Sequence, residues 1–159
     1  MRIRLSSVLD VSAERAWAAV RRPSLLHYVA YPLQTFEPIN PPTWPPTWED
    51  GRYKARLRMF GVLPIGSQWI VISNLADGPR SYRLRDNGNG SLVRQWDHLI
   101  TIEPITASRC RYTDEVAVRA GLLTPAVTAF AYLFYLHRQR RWRKLVAFDF
   151  APIGMGAAA

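Results

Sequence analysis

The sequence predicts an α+β fold, one curved antiparallel sheet of about seven strands wrapped around a long C-terminal helix. Three features predict it. Residues 52 to 119 fall into segments of alternating apolar and polar character, punctuated by Gly, Asn and Pro. From Thr124 to about Asp149 the period becomes helical. Before the sheet, one alternating strand is followed by one or two short helical stretches. A chain of 159 residues, 48% hydrophobic and 21% charged, is long enough to bury a core and too apolar to remain disordered. Residues 1–150 are expected to form a single domain, with 151–159 as a flexible tail.

Ile3 and Leu5 alternate with Arg2 and Arg4, marking a half-buried strand over 2–9. Ser12 can cap a helix running to Val20, and Pro23 ends it and can start a second over 23–28. A strand is expected at 33–37. The repeat Pro41-Pro-Thr-Trp44, Pro45-Pro-Thr-Trp48 then makes a semi-rigid loop. Three readings stand for it: a stiff connection with both rings laid back on the body, a lid over a pocket mouth, or an aromatic anchor at a membrane interface.

Tyr53, Ala55, Leu57 and Met59 oppose Arg52, Lys54, Arg56 and Arg58, giving the cleanest strand in the chain. A turn is expected over Gly61–Gly66, too short for a phosphate loop, then a strand over 68–73 whose inner face is open to either assignment. Asp77-Gly-Pro makes the next turn. Tyr82, Leu84 and Asp86 share a face, and Asn87-Gly-Asn-Gly90 reads as a hairpin turn. Two long strands follow. Trp96, His98, Ile100 and Ile102 share the apolar face of one; Cys110, Tyr112, Asp114, Val116 and Val118 share that of the other. Each apolar face therefore carries one ionisable group, His98 and Asp114.

The last helix starts with Thr124 as cap and Pro125 in its first turn. Val127, Phe130, Ala131, Phe134, Trp142, Leu145 and Phe148 fall on one stripe. Arg138 sits in the middle of it and Arg141 at its edge. Ala120–Leu136 is uncharged but holds Gly121, Thr124, Pro125 and Thr128, which favours a core helix over a membrane span.

This order of elements resembles the START-like, or SRPBCC, superfamily and its helix-grip fold. The resemblance rests on Val11-Ser-Ala-Glu-Arg-Ala-Trp17 after the first strand and on Trp96-Asp-His98. It rests also on Tyr112-Thr-Asp-Glu-Val116 leading through Gly121 to the helix, and on Tyr135-Leu-His-Arg138. It implies a deep cavity between sheet and helix, used in that superfamily for lipids, steroids, polyketides or other apolar molecules. Some members are cyclases or dehydratases and others bind or transfer ligands. Their catalytic residues vary, so none is carried over.

Read from the residues themselves, Arg138, Asp114, His98 and Arg141 project toward the interior, where an unpaired charge is costly. Asp114 and Arg138 either form an ion pair joining helix to sheet, or Arg138 offers its guanidinium fork to a carboxylate, phenolate or enolate. Were the protein an enzyme, His98 or Asp114 would move the proton. Trp96, Tyr112, Tyr82, Tyr53, Met59 and Phe134 are expected around them as cavity wall. No serine occupies a strand-to-helix elbow, which argues against a Ser/His/Asp nucleophile. His27, His98 and His137 lie far apart, which argues against a metal site, and no cofactor is expected.

Cys110 is the only cysteine, so a reducing compartment suits the chain, and without an apolar leader at Met1–Leu9 the cytoplasm is the expected location. A net charge of +9 permits peripheral contact with an anionic membrane. Nucleic acid is disfavoured, because the aromatic residues interleaved with basic ones alternate between faces rather than forming a platform. The expected function is binding of a small, apolar or amphipathic, optionally anionic ligand. The alternative is a cofactor-independent polyketide cyclase/dehydratase-like enzyme. The oligomeric state is left open.

Overall fold

The computed structural model describes residues 1–75 and 81–156. The turn expected at Asp77-Gly-Pro lies outside the described residues. Among the described residues seven antiparallel strands form one sheet: β1 (Arg2–Leu9), β2 (Gln34–Asn40), β3 (Gly51–Met59), β4 (Leu63–Leu75), β5 (Tyr82–Gly90), β6 (Gln95–Thr106) and β7 (Arg109–Arg119). Their order across the sheet is β1-β7-β6-β5-β4-β3-β2. The first and last strands in space are thus β1 and β2, joined by the short helices α1 (Ala13–Val20) and α2 (Pro23–Ala30). The long helix α3 (Thr124–Ala147) fills the concave face. This is the helix-grip architecture.

Local chemistry explains the boundaries. Ser12 Oγ accepts from the Arg15 amide at 3.3 Å and so starts α1, while Pro23 takes the first position of α2, where it lacks nothing. Pro38, which has no amide to donate, is tolerated because β2 is an edge strand, and the ladder shifts register beside it. Thr124 does not cap α3 as expected. Its hydroxyl accepts from the Ala120 amide at 2.9 Å and donates to the Gly121 carbonyl at 2.7 Å, holding the 3₁₀ turn Gly121–Leu123 that precedes the helix.

Two turn assignments shift. Phe60 and Gly61, both with positive φ, make the β3–β4 turn, while Gly66 at φ +104° sits in a bulge of β4 opposite Leu57. Asn87–Gly90 is not a hairpin turn but the end of β5, and the chain reverses at residues 91–94. A Cβ on Gly88 would lie 2.2 Å from the Trp69 carbonyl oxygen, and one on Gly90 2.8 Å from that of Ser67. These glycines permit close approach of β5 to β4 rather than a reversal. On β4, Ile70 and Ile72 are buried and Trp69 lies on the outer face beneath Arg52 and Lys54, which settles its inner face.

The Pro-Trp loop is laid back on the body. Trp48 is buried, its amide donates to the Arg21 carbonyl at 2.6 Å, and its ring meets Trp44 and Tyr53 edge-on at 5.3 and 4.9 Å. Neither ring is placed to anchor an interface. On α3, Phe148 is exposed although the helical stripe would bury it, because the helix ends at Ala147 and the chain turns through Asp149 and Phe150 at positive φ. Phe150 takes the buried position instead. The stretch after 150, expected to be loose, folds back as far as it is described: Ile153 is buried, and Arg15 donates to the Met155 carbonyl. No helix among the described residues is long and apolar enough to cross a membrane.

Candidate functional site

Between α3 and the inner faces of β3–β6 lies a cavity of about 450 Å³, within the roughly 300–1,000 Å³ usual for small-molecule sites. Its wall is mainly apolar, with Ile70, Ile72, Leu84, Ile100 and Phe134 among the lining residues. Its open end is marked by the exposed Leu92 and Leu123. Besides the phenol of Tyr135, the acidic and basic side chains that interrupt the wall are Asp86 on β5, His98 on β6 and Arg138 on α3. His98 and Arg138 are only 5% and 4% exposed, so this polar end is the buried one.

Strand register brings the first two together. Asp86 and His98 are directly opposite on the β5–β6 ladder, and each follows the inward alternation of its strand. Arg138 arrives one turn after Tyr135 on the buried side of α3. The His98 ring and the Arg138 guanidinium both pack on the Tyr135 ring, at 4.8 and 5.0 Å from its centre. The Tyr135 hydroxyl accepts from Trp96 Nε1 at 3.2 Å, which fixes that ring.

Behind His98 lies a buried carboxylate. Asp114, 1% exposed, accepts at Oδ1 from His98 Nε2 (2.7 Å) and the Tyr112 hydroxyl (2.8 Å), and at Oδ2 from Gln139 Nε2 (2.7 Å). Burial by itself would raise this carboxyl, but the His98 contact, the Arg138 charge and the Tyr112 hydroxyl together hold it below the ordinary carboxylate value. His98 is shifted down, because burial and the nearby Arg138 cation outweigh the pull of Asp114. A neutral imidazole facing an ionised Asp114 must carry its proton on Nε2. Nδ1 is then a hydrogen-bond acceptor without a partner among the described residues, on a side chain that lines the cavity.

Arg138 is not paired with Asp114. Among the described residues no carboxylate lies within ion-pair distance of its guanidinium, and Nε has no hydrogen-bond partner. Burial opposes its charge, yet the Tyr135 and Tyr112 hydroxyls and the Asp114 carboxylate more than offset that and raise it further. It is a permanent cation on an apolar wall. Asp86 Oδ1 accepts from the Val71 amide at 2.8 Å, where the β4–β5 ladder is interrupted. Burial pushes its pKa to about 7, against the pull of that amide and of Arg138.

Of the residues expected at the site, His98, Arg138, Trp96, Met59 and Phe134 line the cavity. Five stand elsewhere. Asp114 and Tyr112 form the layer behind His98, with the Tyr112 ring packed on Trp142 at 4.9 Å. Tyr53 packs on Trp48 and its hydroxyl donates to the Glu49 carbonyl; Tyr82 stacks on Trp17 at 5.5 Å. Arg141 lies over the Tyr28 ring at 4.0 Å and donates from Nε to the Tyr28 carbonyl, tying α3 to α2. Sequence reading placed Asp86 on an inner face but did not single it out, and it passed over Gln139, which stands four residues after Tyr135 and three before Trp142 on the buried stripe.

The pH dependence of stability follows from Asp86. Its folded value lies above its unfolded one, so its contribution is fully present below pH 3.8 and is lost as pH rises through about 7. His98 works in the opposite sense as pH falls below 6.5. Comparison with a variant isolates the first effect. Asp86→Asn keeps an acceptor for Val71, so the variant should gain stability relative to the parent at pH 8 and gain clearly less at pH 5. Urea unfolding at the two pH values checks it; an equal difference at both would refute the assignment.

The family model described as "Domain of unknown function (DUF8410)" matches residues 7–146. The chain belongs to that family. No curated protein matches it. Among solved structures it is similar to the Zhui aromatase/cyclase of Streptomyces sp. R1128, with 12% identity, a TM-score of 0.64 and 99% of each chain covered. It is similar to a START superfamily protein of Mycobacterium smegmatis, with 13% identity and a TM-score of 0.56, covering 92% of this chain and 97% of that one. Truncated norcoclaurine synthase of Thalictrum flavum matches at 14% identity and a TM-score of 0.61, with 92% of each chain covered. At these identities the likeness is one of fold. The DUF8410 chain has the START/SRPBCC-like helix-grip fold, as its sequence resemblance implied.

Proposed function

We propose that this DUF8410 protein binds one small, largely apolar ligand in the cavity between sheet and α3, with the polar end of the ligand at Arg138. One observation carries the reading. A buried guanidinium stands on the wall of an apolar cavity with its Nε unpaired and no carboxylate in reach among the described residues. A buried N–H without an acceptor is costly, and an oxygen-bearing ligand is the partner that fits it. The START superfamily protein and the aromatase/cyclase with this fold are consistent with such a pocket. The cytoplasm suits the buried, unpaired Cys110.

Anilinonaphthalene sulfonate, an apolar dye with an anionic group, tests the reading by fluorescence titration. One saturable site is expected, with affinity falling at least tenfold in Arg138→Met and unchanged in Arg85→Met, whose parent side chain pairs with Asp97 on the exposed face. Equal loss in both variants, or none in either, would reject the cavity as the site.

A second reading is a cofactor-independent enzyme of the cyclase or dehydratase kind. It is favoured by the Asp114–His98 pair, an imidazole held by a buried carboxylate on a side chain that lines the cavity. In this geometry His98 is the group able to touch a ligand and Asp114 the one that positions it. His98→Gln should abolish turnover and leave dye affinity within about threefold; unchanged turnover would end this reading.

A further inference from the structure

The three polar groups at the buried end differ in what they can accept and donate, and that difference selects a ligand chemistry. Arg138 only donates. His98, with its proton held on Nε2 by Asp114, only accepts at Nδ1. Asp86, cross-strand from His98, already receives the Val71 amide at Oδ1 and, as a carboxyl that titrates near pH 7, can either donate or accept with its other oxygen. A ligand carboxylate would satisfy Arg138 but, having no proton to donate, would leave the imidazole nitrogen without a donor. An amine would satisfy the acceptors and repel Arg138. A hydroxyl donates one proton and accepts on its lone pairs, so it meets both demands at once. The imidazole and the guanidinium pack on one Tyr135 ring, so both demands arise at the same end of the cavity.

We propose that the buried end of the cavity is a site for an acidic hydroxyl, a phenol or an enol, carried on an apolar skeleton. The O–H donates to His98 Nδ1, and the same oxygen, or one conjugated with it, accepts from the Arg138 guanidinium. Such a ligand enters neutral, which avoids the desolvation cost that a preformed anion would incur on its way through the apolar wall. Once in place, its oxygen acquires anionic character: as the proton moves to the imidazole, the electron pair stays on oxygen beside the guanidinium, and Asp114 stabilises the resulting imidazolium. No oxidant or co-reactant is involved. The inference rests on the cavity being a ligand site and names the head group that the site selects.

The test compares four naphthalenes of nearly equal size at pH 6.5 by quenching of protein fluorescence: 2-naphthol, 2-methoxynaphthalene, 2-naphthoate and naphthalene. 2-Naphthol is expected to bind at least tenfold more tightly than the other three. The wild-type protein serves throughout, so the result does not depend on a variant folding. A second readout uses 4-nitrophenol, whose ionised form has its own absorption band. At a pH one unit below its solution pKa, the bound probe should show mainly the ionised band, and that band should be lost in Arg138→Met. Binding of 2-naphthol and 2-methoxynaphthalene with equal affinity would overturn the hydroxyl site while leaving an apolar pocket in place. Tightest binding by 2-naphthoate would overturn it in favour of a carboxylate site. Binding by none of the four would overturn this inference together with the pocket on which it rests.

Discussion

Replacing Asp114 with leucine is expected to destabilise the protein by about 3–5 kcal/mol, the scale of a buried hydrogen-bonded charge losing its partner. The side chain is almost wholly enclosed and receives three donors, from His98, Tyr112 and Gln139. Leucine would leave the His98 and Tyr112 donors without this acceptor, and Gln139 with only the long 3.5 Å contact to the Leu5 carbonyl. Asparagine should cost far less, about 1–2 kcal/mol. Its carbonyl can accept from His98 and Tyr112, and its amide can donate to Gln139 Oε1, which now has no partner, once the Gln139 amide turns over. Urea unfolding at pH 7 measures both. Equal losses would show that the volume of the side chain, rather than its hydrogen bonds, matters here. Because the folded carboxyl is held below its usual value, its contribution is present above pH 3.8 and is lost as pH falls through the folded value. The gap between the parent and the asparagine variant should therefore narrow in acid.

Gly88→Ala is expected to cost about 3 kcal/mol or more, at the upper end for overpacking. The added methyl would stand 2.2 Å from a backbone carbonyl oxygen, that of Trp69, and 3.1 Å from Asp86 Oδ1. Neither neighbour is the free end of a flexible chain, so β4 and β5 must separate. That movement would displace the Asp86 carboxyl from the Val71 amide and disturb the cavity wall along with the fold. Gly61→Ala, in the β3–β4 turn, is the contrast: its φ is +73° but its nearest neighbour is 4.0 Å away, so it should cost only the backbone strain of about 1 kcal/mol. If the two substitutions prove equally costly, the close approach at Gly88 is not what holds the strands.

The architecture was legible because period carries it. Alternation in 52–59 and 110–118 and the helical stripe from Val127 to Leu145 each state a face, and those faces met as expected. Glycine was read less well. Asn87-Gly-Asn-Gly90 has the composition of a turn, yet its glycines serve contact between strands, a demand that only the neighbouring strand creates. Partners of buried charges were hidden for the same reason. The sequence placed Asp114, His98 and Arg138 inside, but which pair forms depends on angstrom-scale offsets between β6, β7 and α3. Gln139 takes the contact with Asp114 Oδ2 that an ion pair with Arg138 would have used. Arg138 lines the cavity instead, together with Asp86, an unremarked acid at the end of an alternating run.

The central claim, one ligand seated in the cavity against Arg138, is tested most directly by native mass spectrometry with added 2-naphthol. The parent protein should show a single bound equivalent, which Arg138→Met weakens at least tenfold. Leu84→Trp, which fills the cavity from β5, should abolish it while the folded charge-state distribution is kept. An equivalent that survives both substitutions would contradict the account, because the ligand would then sit outside this cavity.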